Sequence, residues 1–273
     1  MIGAIIGDVV GSRFEFSNIK SKKFDLFSNQ CCFTDDTVMT CAVAESLMDS
    51  SKSGFKYLQD EAIYDFRNVG LAYPRCGYGA KFIQWMYGQM DGPYNSCGNG
   101  SAMRISPVGD IAKDVEEAKR MAYDLTVITH NHPEGIKGAE AAAVAKVMLR
   151  DGAPKESVSK YIEDNCYDLS MTVDDYRKEL DGHGKEICQV TMPQAFVCFF
   201  EGKNFEDVMR NCIAIGGDSD TIAAIAGGIA EAYYGVPKWM RDKVEDYLTF
   251  DLWNILMRFE GFAAGMRVRR LGY

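Results

Sequence analysis

The sequence predicts an all-α fold, roughly a dozen helices packed in one compact bundle. Apolar residues recur at three- and four-residue spacing in nine stretches: 38–48, 55–69, 78–90, 115–128, 136–149, 158–166, 205–215, 222–234 and 239–259. Short alternating runs bounded by turn residues, the mark of half-buried strands, are nearly absent. Gly, Asn and Pro act as stops between the periodic stretches, at Gly70, at Asp91-Gly92-Pro93 and at Asp151-Gly152-Ala153-Pro154.

Composition sets the class. The 273 residues are 47% hydrophobic and carry 39 Asp+Glu against 30 Lys+Arg, a net charge of −9. That apolar fraction is enough for a full core and excludes a disordered chain. The acidic balance opposes nucleic-acid binding, which ordinarily rests on a basic surface. No apolar run reaches the roughly 18 residues that span a bilayer. The N-terminal run lacks a basic flank and contains Asp8, so it does not read as a signal peptide. Nine cysteines without a C-x-x-C pair suit reduced thiols in a cytoplasmic protein. No linker or tandem repeat marks a boundary, and one domain over residues 1–273 is the simpler expectation.

The opening helix places Gly3, Gly7 and Gly11 on one stripe, against which another helix can pack closely. Glu15 continues that stripe at an inner edge, or is a solvated residue at the helix end. Next, Thr34-Asp35-Asp36-Thr37 opens the 38–48 helix. Capping explains part of this, since Thr or Asp accepts hydrogen bonds from free N–H groups and acids suit the first turn.

A second acidic mouth, Gly216-Gly217-Asp218-Ser219-Asp220-Thr221, precedes the 222–234 helix. In a regular helix Asp218 and Asp220 would point about 200° apart. They converge only if Asp218 stays in the Gly-Gly loop. Should both mouths meet, four crowded carboxylates would repel one another unless cations neutralised them. Oxygen-only ligands favour Mg²⁺, or Mn²⁺, over Zn²⁺, and four acids suffice for two ions.

Cys97-Gly98-Asn99-Gly100-Ser101-Ala102-Met103-Arg104 reads either as a plain connector or as a turn whose N–H groups and Ser101 hydroxyl receive phosphate. Of the paired histidines, His130 is the better substrate contact, because Pro133 biases His132 towards an extended, helix-leading conformation. The third, His183, lies in an Asp-Gly-His-Gly turn. The stretches 70–79 and 168–191 are the expected rims of a pocket.

Taken in order, GDVVGSRFE, FTDDT, GNGSAMR, Thr129-His130 followed by KGAEAAA, and GGDSDT resemble the ADP-ribosylglycohydrolase family, which includes the dinitrogenase reductase-activating glycohydrolases. The resemblance runs from Gly3 to about Phe259. It implies an all-α orthogonal bundle in a single family domain, with a dinuclear Mg²⁺ or Mn²⁺ site that removes ADP-ribose from modified protein side chains. By position, Thr34, Asp35, Asp36, Asp218, Asp220 and Thr221 correspond to the family's metal ligands. Glu15 corresponds to the glutamate beside the metals and the catalytic water, with Asp36 the other acid for proton handling. Gly98 and Asn99 lead into Gly100, Ser101, Ala102 and Met103, which correspond to the diphosphate loop, and His130 to a substrate-contacting histidine. For a ring-opening acid the sequence offers only Asp91 and Asp110, neither in a matching motif. The expected partners are ADP-ribose and ADP-ribosylated proteins, with arginine favoured as the acceptor and serine open. A non-catalytic ADP-ribose-binding member and a metal-dependent nucleotide phosphohydrolase are the competing readings.

Overall fold

The computed structural model describes residues 1–179 and 186–270; His183 lies outside them. Among the described residues there are fourteen α-helices and no β-strand. They are α1 (Ile2–Gly11), α2 (Asp35–Ser50), α3 (Leu58–Ala72), α4 (Ala80–Met86), α5 (Ser106–Ile111), α6 (Val115–Val127), α7 (Pro133–Arg150), α8 (Lys155–Asn165), α9 (Val173–Lys178), α10 (Cys188–Glu201), α11 (Phe205–Ile215), α12 (Ser219–Tyr234), α13 (Lys238–Val244) and α14 (Phe250–Arg270). No described helix is long and apolar enough to cross a membrane.

The core is built around α1 and α12. Every residue of α1 is buried, as is α12 from Ser219 to Ala230. Their separation is set by the glycine stripe. A Cβ on Gly3 would lie 2.3 Å from the Gly227 carbonyl oxygen, one on Gly7 2.0 Å from that of Ala223, and one on Gly11 2.4 Å from the Asp220 Cα. As residue numbers rise along α1, their partners on α12 fall, so the two helices run antiparallel with backbones in direct contact. The C-terminal end of α1 therefore meets the N-terminal mouth of α12. Helices α2, α5, α7, α10 and α11 surround this pair.

At the opposite end, a buried charge network ties the helices together. Lys146 of α7 donates to Asp110 of α5 at 2.8 Å, to Glu231 of α12 at 3.3 Å and to the Ser106 hydroxyl at 2.9 Å. The Met1 amino group donates to both carboxylates at 2.6 Å. Burial alone would raise the Asp110 carboxyl, but Lys146 and the Met1 ammonium outweigh it and hold it below its ordinary range.

Several boundaries differ from expectation. The periodic stretch 239–259 is two helices, because Glu245–Tyr247 tightens into a 3₁₀ turn and Leu248 is extended. There the Tyr247 ring stacks on Phe27 at 5.6 Å and its hydroxyl donates to the Ser28 carbonyl. Both α13 and α14 present apolar residues inward, so the spacing gives no sign of the break. Helix α3 runs through Gly70, whose missing side chain admits the Met86 sulfur. Helix α4 stops at Met86, before Gly88 at φ +68°. Helix α10 carries an internal Pro193, which breaks the helical signal in the sequence.

Gly7→Ala should lower stability by about 1–3 kcal/mol through the overpacking it forces, whereas Gly261→Ala, in open space on α14, should shift it by no more than about 1 kcal/mol and in the stabilising direction. Urea denaturation followed by circular dichroism reads both; equal effects would refute the contact.

Candidate active site

The antiparallel register of α1 and α12 carries Glu15, one turn beyond α1, to the mouth of α12. Carboxylate oxygens of Glu15, Asp218 and Asp220 lie within 4.8 Å of one another. Asp218 is the residue before α12, with non-helical φ −75° and ψ 76°. It follows Gly216 and Gly217, both at positive φ, where other residues are strained. This is the backbone route by which Asp218 and Asp220 converge. Asn18 fastens the loop: its amide nitrogen donates to the Gly217 carbonyl at 2.9 Å and to the Glu15 carbonyl at 3.1 Å, and its oxygen accepts from the Gly217 N–H at 2.7 Å.

The second mouth, the start of α2, is held by Asp8. This fully buried carboxylate accepts four hydrogen bonds, from the N–H and hydroxyl groups of Thr34 and Thr37. A side chain from α1 thus satisfies free N–H donors of α2, a task that usually falls to a helix's own cap. Asp35 and Asp36 follow in the first turn. Thr221 donates to Asp36 Oδ2 at 3.2 Å, so α12 reaches α2 directly. The other Asp36 oxygen, Oδ1, is buried with no partner.

Asp35, Asp36, Asp218, Asp220, Glu15 and Thr221 line one cavity of about 330 Å³ with Gly98, Asn99, Gly100, Met103 and His130. Thr34, half-buried beside Asp35, is not among the lining residues, and its hydroxyl donates to Asp8 at 2.7 Å. Ser101 and Ala102 are buried under the loop, with the Ser101 hydroxyl donating to the Gly135 carbonyl at 2.8 Å. The Asn99 amide donates to Asp218 Oδ2 at 2.5 Å and to the Thr191 hydroxyl at 2.9 Å, joining the glycine loop to the acid cluster. Of the expected rims, Gly77, Gly79 and Glu186 line the cavity. Asp91 is exposed and Asp110 belongs to the far-end network, so neither faces it.

His130 is oriented by a relay that the sequence does not announce. Arg104, buried over the Phe66 ring at 4.6 Å, donates to the Thr129 hydroxyl at 2.9 Å, and that oxygen lies 2.8 Å from His130 Nδ1. Where the Thr129 hydroxyl donates to Nδ1, the ring proton sits on Nε2. That nitrogen would lie 3.2 Å from a Cβ on Gly100, which makes glycine the residue that leaves room there. Burial, and secondarily Arg104, push the His130 pKa well down, so the ring is a neutral donor. His132 instead caps α7, accepting from the Glu134 N–H at 3.1 Å.

Burial and mutual repulsion set the electrostatics of the cluster. Burial, then the neighbouring Asp218 and Glu186, raises Glu15 to about 7. Burial and Asp8 raise Asp35 to about 8, and burial with neighbouring acids pushes Asp36 and Asp220 well above the carboxylate range. Converging oxygen donors, with no nitrogen or sulfur ligand in the cluster among the described residues, and the orphaned Asp36 oxygen all fit a divalent cation.

The ADP-ribosylglycohydrolase family model matches residues 1–266. The chain belongs to that family. It is 25% identical to the ADP-ribosylhydrolase ARH3 of Mus musculus, over 92% of this chain and 88% of that protein. Similarity to the ADP-ribosylarginine hydrolase Tri1 of Pseudomonas putida (strain GB-1) is 23%, over 88% of this chain and 72% of that one. A solved structure, an ADP-ribosylglycohydrolase-related protein complex, superposes with TM-score 0.68 at 23% identity over 94% of this chain and 95% of its own, and shares the fold. Membership in this family supports an ADP-ribosyl hydrolase activity, with an acidic cluster able to hold metal.

A pH dependence follows from these carboxyls. Their folded pKa values exceed the unfolded values near 4, so between about pH 4 and 8 the metal-free native state binds more protons than the unfolded one and stability falls as pH rises. In EDTA the melting temperature should decline from pH 5.5 to pH 8, and millimolar Mg²⁺ or Mn²⁺ should raise it more at pH 8 than at pH 5.5. A metal effect of equal size at both values would contradict the cluster's role.

Proposed function

We propose that this chain is a single-domain, metal-dependent hydrolase that cleaves the glycosidic bond between ADP-ribose and a modified protein side chain, with arginine the favoured acceptor. The observation that carries this reading is one cavity shared by the convergent Glu15, Asp218 and Asp220 carboxylates and the Gly98–Gly100 loop. One end suits cations and ribose hydroxyls, the other a diphosphate. The nine cysteines are free thiols, which fits the reducing cytoplasm.

Two Mg²⁺ or Mn²⁺ ions, when bound by Asp35, Asp36, Asp218 and Asp220 with Thr34 and Thr221, would supply Lewis-acid polarisation of a water and of vicinal ribose hydroxyls. The rest falls to the chain. Glu15 is the better placed of the two candidate bases, since it is only half-buried and opens on the cavity, whereas Asp36 is 2% exposed and bonded to Thr221. As water attacks the anomeric carbon, Glu15 takes its proton and the glycosidic electron pair leaves with the acceptor nitrogen. Positive charge at the ribose carbon is stabilised by the surrounding carboxylates. A guanidinium acceptor departs as neutral guanidine and then takes the proton from Glu15. Met103, the Gly98–Gly100 backbone and the His130 Nε2–H hold the nucleotide portion.

Asp35→Ala combined with Asp36→Ala should reduce release of ADP-ribose from arginine-modified peptide by at least about a hundredfold, and EDTA should do the same to the native chain. Mass spectrometry of the product decides between readings. Intact ADP-ribose supports the hydrolase, AMP with ribose phosphate indicates a phosphohydrolase, and ADP-ribose binding without turnover indicates a non-catalytic member.

A further inference from the structure

One carboxylate in the cavity belongs to none of the acidic motifs. Glu186 lines the same space as Glu15, Asp218 and Asp220, yet its oxygens do not join theirs within 4.8 Å. Its main chain is fixed by the glycine loop. The Asn99 N–H donates to the Glu186 carbonyl at 3.2 Å, the Cys188 N–H donates to the Cys97 carbonyl at 3.0 Å, and Gly98 and Ile187 form an antiparallel bridge. This pairing sets the residue at the junction of loop and acid cluster, where the bond to be cleaved would lie.

Among the described residues, no hydrogen bond or ion pair reaches the Glu186 carboxylate. Partial burial, then the nearby Asp218 charge, raises it, and it lies near enough to Glu15 to raise that group in turn. Glu186 is exposed at the cavity wall, where water solvates it, and a cation arriving with a ligand would find it unpaired beside the acid cluster. Divalent ions have the tighter carboxylate set beside it. A cation carried by the substrate is a complementary partner for Glu186. Nicotinamide-free ADP-ribose has none, and a serine linkage adds none. A guanidinium does, and its planar donors match a carboxylate in bidentate fashion.

We propose that Glu186 is a specificity-determining residue that pairs with the guanidinium of arginine-linked ADP-ribose. This rests on the hydrolase reading above and deepens it by assigning acceptor choice to a residue outside the metal motifs. Glu186 positions the acceptor, while Glu15 handles the proton.

The test compares the native chain with Glu186→Gln and Glu186→Asp on arginine-linked and serine-linked ADP-ribosyl peptides, with calorimetry of ADP-ribose binding alongside. Glu186→Gln should lower kcat/KM on the arginine-linked peptide by about tenfold to a hundredfold, the range for losing a hydrogen-bonded charge. The loss should fall mainly in KM, be partly restored in Glu186→Asp, and leave the Kd for ADP-ribose within about twofold. An unchanged kcat/KM, or an equal loss of ADP-ribose affinity, overturns the inference. A native chain that cleaves only the serine-linked peptide also overturns it while sparing the hydrolase reading. Failure to cleave either peptide removes both.

Discussion

The site depends on a contact that involves no site side chain: the antiparallel apposition of α1 and α12 through Gly3, Gly7 and Gly11. Direct backbone contact fixes the axial register of the two helices, because each glycine fits over one position of its partner. With the register fixed, Glu15 is carried beside Asp218 and Asp220. Three carboxylates could not draw themselves together, since each disfavours the charge of the next. Packing has to hold them there. The buried area of α1, all ten residues of it, is the source of that work, at roughly 25 cal/mol per Å² of apolar surface.

Asp8 extends the same logic to α2. Because it projects from the middle of α1, its four hydrogen bonds from Thr34 and Thr37 make the position of the α2 mouth a consequence of where α1 lies. Burial raises the Asp8 carboxyl while those donors favour its ionised form, and both helix mouths are thereby locked to one helix. The far end of the bundle offers an internal comparison. There, Asp110 is buried and Glu231 half-buried, but Lys146 and the Met1 ammonium neutralise them and both carboxyls are held below their ordinary range. One fold therefore contains two buried acid groups, one completed by its own lysine and one with no lysine or arginine in ion-pair contact among the described residues. The acidic cluster able to hold a metal is the one without such a partner.

Much of this was legible in the sequence because it follows from spacing. The four-residue glycine stripe, the two acidic helix mouths and the Gly-Gly run before Asp218 each restrict the backbone to few geometries, and the structure adopts the one in which Asp218 stays outside α12. What escaped was non-local. Asp8 looks like an interruption in an apolar run, and only the fold reveals that it faces an α2 whose first residue is 27 positions beyond it in the chain. Asn18 and Glu186 sit in stretches with no period and no repeated motif, and although Arg104 and Thr129-His130 fall in recognised segments, their contact joins residues 25 positions apart. Helix α10 was hidden by Pro193, and the break between α13 and α14 by apolar residues that continue the spacing through it. Periodicity reports which face is buried, not where an axis turns.

The relay on His130 and the placement of Glu186 also bear on why the cavity has glycine where it does. Gly98 and Gly100 leave Nε2 within reach of the cavity, and the same loop carries the hydrogen bonds that seat Glu186 and, through Asn99, Asp218. A neutral N–H donor and open backbone at one end suit a diphosphate, which needs donors and little added charge once its counterions are present. Unpaired carboxylates at the other end suit cations. The loop between them touches both, so a shift of its backbone would alter nucleotide seating and acid placement together. Asn99 illustrates this coupling: its side chain bridges Asp218 and Thr191, while its N–H holds the Glu186 carbonyl, linking through one residue the acid cluster, the glycine loop and Glu186.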